Sequence, residues 1–303
     1  MKPAVTPGGP VGRFFVGLVV GFIRWLSVRS RERLAGFVAG LAWTLRIRRR
    51  VALDNLAHAF PERSVAERAG IARGAYRTMA LAALEAVTSD LLPEEEIARA
   101  VSVVDWKGLD TIVEQRQPVL VASAHLGSWE LFAEVMARRG YSFSAVVRPL
   151  TGAFNEWVVR NRQSAGVELI LQRGALQEML KALKRGRPVV QLIDQALPAR
   201  EALLVPFFGR LASTTPALSM AALRSKAPVY VVVALREEGG LRMYVEGPFP
   251  LPALDDHRAA LQAHAAQLTA VLEGFIRRAP EQWLWLHRRW KATPAHAARD
   301  SRP

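Results

Sequence analysis

The sequence predicts an α/β protein: a largely parallel mixed sheet flanked by helices, with an N-terminal helical membrane anchor. Three observations carry that prediction. Short β-branched runs alternate with helix-like segments from residue 100 onward, the pattern of a sheet whose crossover helices cover both faces. The first fifty residues are rich in apolar and basic side chains and nearly free of acids. One apolar run, "PVLVASA" at 118–124, leads directly into "HLGSWE", placing polar side chains where a strand turns into a helix.

Residues 1–50 hold ten basic side chains against Glu32 alone. The runs "FFVGLVVGFI" (14–23) and "LAGFVAGLAWTL" (34–45) lie among them, bordered by Trp25 and Trp43. Nucleic-acid arms are polar between their arginines, whereas apolar helices with border tryptophans suit an anionic membrane surface, so no nucleic acid partner is expected. Neither run reaches the ~20 apolar residues of a simple span. Three arrangements stay open: a tilted span over about 12–28 with Arg24 snorkelling, a hairpin lying in one leaflet, and a helix pair buried on the core.

"RIRRR" at 46–50 closes this segment. Residues 51–295 read as one domain, followed by a tail at 296–303 expected to be disordered. "VALDNLAHAF" predicts a short helix that Pro61 ends, and Ser64 is placed to cap a long helix from Val65 to Leu91. Its apolar positions, Ile71, Ala75, Met79, Ala82 and Val87, recur at helical spacing. Strands are expected at 101–106, 118–124, 142–147, 188–193 and 228–235, with helices at 128–139, 153–165, 174–185 and 215–226. "EEGG" then turns the chain into an antiparallel strand at 241–247, and a last helix covers 256–278.

Composition removes several chemistries. A chain of 303 residues with no cysteine has no disulfides, thiolate metal sites or thiol nucleophile. Its six histidines are scattered without ligand spacing, so neither a metal nor a cofactor is expected. The net charge of +14 favours anionic partners.

His125 and Glu130 stand out against that background. Five residues on one helix is about 500° of rotation, so the two side chains meet only if His125 lies in the turn and Glu130 inside the helix. Histidine's pKa near 6.5 lets it accept a proton at neutral pH, and a carboxylate on its other ring nitrogen would fix the tautomer. The alternative is a capping or core histidine beside a solvated helix glutamate. Ser128 does not sit in a G-x-S-x-G elbow and reads as a helix cap, which argues against a covalent acyl-enzyme.

Several blocks carry a resemblance. "HLGSWE" fits an H-x4-E pattern, and with it stand "RRRVALDNLAHAFPE" (48–62), "RPLTGAFNEWVVRNRQSAGVELI" (148–170), "VVQLIDQ" (189–195), "VPFFGRLASTTPALSMAALRSKAPV" (205–229) and "PEQWLWLHRRWK" (280–291). In that order, over about 240 residues, they resemble the bacterial lipid A biosynthesis late acyltransferases, within the wider lysophospholipid acyltransferase superfamily.

The resemblance implies transfer of a fatty acyl group from an acyl carrier protein thioester to a hydroxyl of a membrane glycolipid, a lipid A precursor, at the cytoplasmic face of the inner membrane. It makes His125 the general base and Glu130 its partner. Arg162 matches the family's arginine position and is assigned to the oxyanion or an anionic headgroup. Arg148 is a candidate for phosphate, and Asp194 for orienting a substrate hydroxyl or Arg162. Trp129, Phe132 and the N-terminal helices are candidate walls of an acyl groove. In "WLWLHRRWK", alternation puts Trp283, Trp285 and His287 on one face, suited to a lipid headgroup or to the core. The rival readings are acylation of another glycolipid or a lysophospholipid, hydrolysis by the same dyad, and a non-catalytic protein of anionic membranes.

Overall fold

A computed structural model describes residues 5–6, 8–102, 105–148, 150–238 and 240–291. The tail at 296–303 lies outside them. The elements in chain order are β1 (Val5–Thr6), α1 (Pro10–Trp25), α2 (Val28–Thr44), α3 (Arg49–Ala59), α4 (Val65–Glu85), α5 (Glu94–Ser102), α6 (Leu109–Glu114) and β2 (Leu120–Ser123). Then come α7 (Trp129–Arg138), β3 (Ser144–Val147), β4 (Leu150–Thr151), α8 (Ala153–Ser164), β5 (Glu168–Leu171), α9 (Ala175–Lys184) and β6 (Val189–Leu192). β7 (Leu203–Phe207), β8 (Arg210–Thr214), α10 (Ala217–Ser225), β9 (Val229–Glu237), β10 (Gly240–Phe249) and α11 (His257–Arg278) complete the chain.

The main sheet runs β10-β9-β2-β6-β3-β5, parallel throughout except for β10, which returns antiparallel along β9. All four residues of β2 are buried, as a central strand covered on both faces requires. Leu120 and Ala122 pack with Met179, Leu183 and Leu218 on one face. Val121 packs with Leu109, Phe132 and Val135 on the other. Period-two alternation therefore feeds two cores from one strand.

Ser64 caps α4 as expected: its hydroxyl accepts from the Glu67 amide at 3.2 Å, and Glu67 accepts from the Ser64 amide at 2.7 Å. The helix ends at Glu85 rather than Leu91, and Ser89–Leu91 forms a 3-10 turn instead. Arg24 explains the break. Its guanidinium forks onto Asp90 at 2.7 and 2.8 Å and donates to the Val87 carbonyl at 2.9 Å. Arg24 is thus a structural clasp inside the protein, not a side chain snorkelling from a bilayer.

Among the described residues the strand expected at 101–106 does not form. Val101 and Ser102 close α5, while Asp105 and Trp106 are irregular and absent from the sheet. The cause is a helix start, Pro93 followed by Glu94, Glu95 and Glu96, whose charges complement the positive end of the helix dipole. The edge strand β5, the antiparallel hairpin β7–β8, the short strands β1 and β4 and the helices α5 and α6 are all additions to the elements expected from the sequence.

Among the described residues no helix is long and apolar enough to cross a membrane, and α1 has 16 residues. The tilted-span expectation is corrected accordingly. One side of α1 packs through Val20 and Ile23 against Val87 and Val158. Its opposite side exposes Phe14, Phe15, Leu18, Phe22 and Trp25, the last 81% accessible.

Candidate active site

The turn after β2 is tightly specified. Gly127 has φ +61°, and a Cβ there would lie 2.0 Å from the Ala234 carbonyl oxygen of β9. The Gly127 amide donates to the Gln282 carbonyl at 3.0 Å, and the Ser128 amide donates to the Ala234 carbonyl at 2.8 Å. The Leu284 amide donates to the His125 carbonyl at 3.2 Å. Strand, turn and C-terminal segment therefore fix the backbone of His125 from two sides. Ser128 occupies the N-cap position of α7, but its hydroxyl makes no capping bond.

His125 meets a carboxylate, and it is Asp194 rather than Glu130. Asp194 follows β6, the parallel neighbour of β2, where Ser123 is in register with Leu192. Its Oδ1 lies 2.9 Å from His125 Nδ1, and its Oδ2 accepts the His125 amide at 2.9 Å. The indole of Trp283 donates to the same Oδ2 at 2.9 Å. Burial alone would push this carboxyl up, but the His125 charge and the converging donors hold it down to about 2. Ionised, Asp194 only accepts, so the proton between the pair belongs to Nδ1, and Nε2 is the ring nitrogen that the carboxylate does not engage. The Gln195 amide nitrogen stands 3.1 Å from Nε2 and 3.4 Å from Nδ1, against the ring between its two nitrogens.

Glu130 is elsewhere engaged. It forms a two-point ion pair with the Arg162 guanidinium, one contact at 3.2 Å, and accepts from the Trp129 indole at 3.0 Å. The expected contact between His125 and Glu130 is thus replaced by two separate pairs, because the neighbouring parallel strand delivers a closer carboxylate than one turn of α7 does. Asp194 correspondingly orients His125 and not Arg162. Arg148, exposed after β3, makes a long 3.4 Å contact to the Ala196 carbonyl.

His125, Glu130, Arg148, Arg162 and Gln195 share a cavity of about 470 Å³. Its mouth is polar. Its depth is lined by Ala83, Phe132, Ala133, Phe143, Val158 and Val190. Trp129 and Phe132 line this cavity, and α4 and α8, in place of α1 and α2, supply its other helical walls. An imidazole oriented by a buried carboxylate beside an apolar cavity is an arrangement able to activate a hydroxyl next to a hydrocarbon chain.

Comparison with known proteins decides the family. The bacterial lipid A biosynthesis acyltransferase family matches residues 10–292. The chain belongs to that family. It is 27% identical over 253 residues to the lipid A biosynthesis palmitoleoyltransferase of Escherichia coli strain K12, covering 82% of this chain and 81% of that one. Identity to the lauroyltransferase of the same organism is 28% over 250 residues, covering 82% and 80%. The myristoyltransferase is 27% identical over 249 residues, covering 78% and 73%. The protein is an acyltransferase.

Three further residues gather around His125 and Asp194: Gln195, which the sequence did not mark, and Trp283 and His287, which it left open between a headgroup site and the core. Gln195 lies against the His125 ring, Trp283 donates to Asp194, and His287 accepts the Ala196 amide on Nε2 at 3.0 Å. Burial pushes His287 down to about 4, with Arg148, Arg289 and His125 adding to the effect and Asp194 opposing it. It is therefore a neutral acceptor at pH 7. The signal was present in "WLWLHRRWK", but alternation could not tell a headgroup binder from a brace.

Proposed function

We propose that this acyltransferase moves a fatty acyl group from an acyl carrier protein thioester to a hydroxyl of a membrane glycolipid, a lipid A precursor. The observation that carries the reading is the His125–Asp194 pair at the polar mouth of an apolar cavity. The names of the related palmitoleoyl-, lauroyl- and myristoyltransferases support the acceptor class.

In this mechanism the acceptor hydroxyl approaches His125 Nε2 and gives up its proton there as it attacks the thioester carbonyl. Asp194 stabilises the imidazolium that forms. The proton then passes from Nε2 to the departing thiolate as the tetrahedral intermediate collapses. Arg148, at the mouth, takes a phosphate of the acceptor or the developing oxyanion. Glu130 and Arg162 hold the wall of the cavity beside the base. Acyl carrier proteins are acidic, and the chain's net charge of +14 favours their approach. The exposed aromatic side of α1 lies on the anionic inner membrane from the cytoplasmic side, as a helix in the interface plane.

The test is acyl transfer to a purified lipid A precursor, followed by mass spectrometry. His125→Ala is expected to lower turnover about a thousandfold or more, and Asp194→Asn about a hundredfold or more, with folding retained. Glu130→Gln should cost less than Asp194→Asn. Wild-type turnover in a folded His125→Ala protein would remove the catalytic assignment.

A further inference from the structure

The cavity beneath His125 has a definite floor, and a second void lies beyond it. That void is about 10 Å³, walled only by apolar atoms, and it shares Phe132, Phe143 and Val190 with the main cavity. The rings of Phe132 and Phe143 stand 6.3 Å apart, tilted at 45°. Both side chains are almost fully buried, Phe132 on α7 and Phe143 just before β3. They form the partition between the channel and the space behind it.

Register gives the channel a length. Phe143, just before β3, and Ala145 and Val147 within it line one wall at period-two spacing, and Val146 and Arg148 join the lining at the carboxyl end of the strand. β3 pairs with β6 through Val190 and Ala145, and β6 pairs with β2 through Leu192 and Ser123. Phe143 therefore sits near the amino end of these strands and His125 beyond their carboxyl end. At ~3.3 Å per residue the rise between their levels is ~20 Å, and once the Phe143 ring is allowed for, about 16 Å remains, the reach of an extended chain of roughly twelve to fourteen carbons.

We propose that Phe132 and Phe143 set the acyl-chain length this enzyme accepts, at twelve to fourteen carbons, by closing the channel against the void behind them. The inference rests on the acyl-transfer reading above. A chain two carbons too long must leave those methylenes unburied or displace a ring. Since each buried methylene is worth about fourfold in affinity, two of them separate neighbouring even-numbered substrates by about fifteenfold. Removing a ring joins the two spaces and reverses that discrimination. A larger side chain at Ala133, which faces the channel on α7, shortens it.

The experiment compares kcat/KM for acyl carrier protein thioesters of 10, 12, 14, 16 and 18 carbons with the full-length protein and a lipid A precursor acceptor. The wild type is expected to peak at 12–14 carbons and to fall at least tenfold by 16. Phe143→Leu and Phe143→Ala should raise the ratio of 16- to 12-carbon transfer at least tenfold, and Ala133→Leu should favour 10 carbons over 14. Phe143→Leu and Ala133→Leu keep the test decisive if Phe143→Ala fails to fold. An unchanged length profile in active Phe143→Leu and Ala133→Leu proteins overturns the length assignment while leaving acyl transfer standing. A folded wild type that transfers no acyl chain overturns both.

Discussion

The segment "WLWLHRRWK" at 283–291 and the helix residues "FFVGLVVGFIRW" at 14–25 both mix aromatic, aliphatic and basic side chains, yet one is interior and the other faces out. Trp283, Trp285 and Arg289 are fully buried, whereas Phe14, Phe22 and Trp25 are more than half accessible. The difference comes from what each backbone is tied to. The C-terminal segment bridges to the His125 turn and sends its side chains under Asp194 and the β7–β8 hairpin. Arg289 donates to the Ser213 carbonyl and the Thr214 hydroxyl, and burial pushes its pKa down to about 10, still charged at pH 7. Helix α1 touches the protein along one stripe only. Composition alone does not separate a brace from an exposed face; the number of tertiary ties does.

The largest expected effect tests that contrast on one residue type. Trp285→Ala removes a fully buried indole that donates to the Pro280 carbonyl at 2.6 Å, and should cost about 3–5 kcal/mol in denaturant unfolding. Trp25→Ala should change stability by about 0.5 kcal/mol or less. Equal losses would mean that the two segments are not held differently.

Acid tests the brace next. His287 has a folded pKa of about 4 against an ordinary value of 6.5, so the unfolded chain binds more protons in that window. The stability from its neutral form is complete above pH 6.5 and is lost as pH falls toward 4, in all about 3 kcal/mol. Asp194, depressed to about 2, adds a loss only at lower pH. Unfolding followed from pH 7 to pH 4 should show that slope, and His287→Gln should flatten it.

Much of the core was legible because its signals are local. Periodicity located α7, α8, α9, α10 and α11 to within a residue or two, and β-branched runs marked β2, β3, β6 and β9. The strand-to-turn pattern marked His125 as a candidate, and the family resemblance favoured it over a capping or core histidine. Its partner was not legible, because Asp194 arrives from a strand 69 positions away through the parallel register, which no spacing rule contains. The β7–β8 hairpin was hidden for a related reason. Its turn places Phe208 at φ +50° and Gly209 at φ +71°, and a phenylalanine is not a turn signal. Tertiary contacts of the Phe208 ring with Phe60, Phe207 and Trp285 hold it there.

A smaller effect isolates the chemistry of the brace from its packing. Trp283→Phe keeps an aromatic ring in place but removes the indole donor 2.9 Å from Asp194 Oδ2. A hydrogen bond to a charged group is worth about 1.5–3 kcal/mol, so kcat should fall about tenfold or more if the bond serves to orient the pair. A loss of stability with unchanged kcat would make Trp283 a packing residue only.

The smallest change in energy belongs to the outward face, and it sharpens the comparison from the other side. Phe22 is 55% exposed on α1 and its ring leans on Trp25 at 6.5 Å, so Phe22→Ser leaves the core unchanged. If the exposed side of α1 lies in a bilayer interface, removing this ring should weaken partitioning to vesicles containing anionic lipid by about tenfold. Salt separates the two contributions: raising ionic strength screens the arginines but not the ring, so the tenfold difference between wild type and variant should persist at high salt. Undiminished vesicle binding by the variant would move the membrane contact off this face of α1.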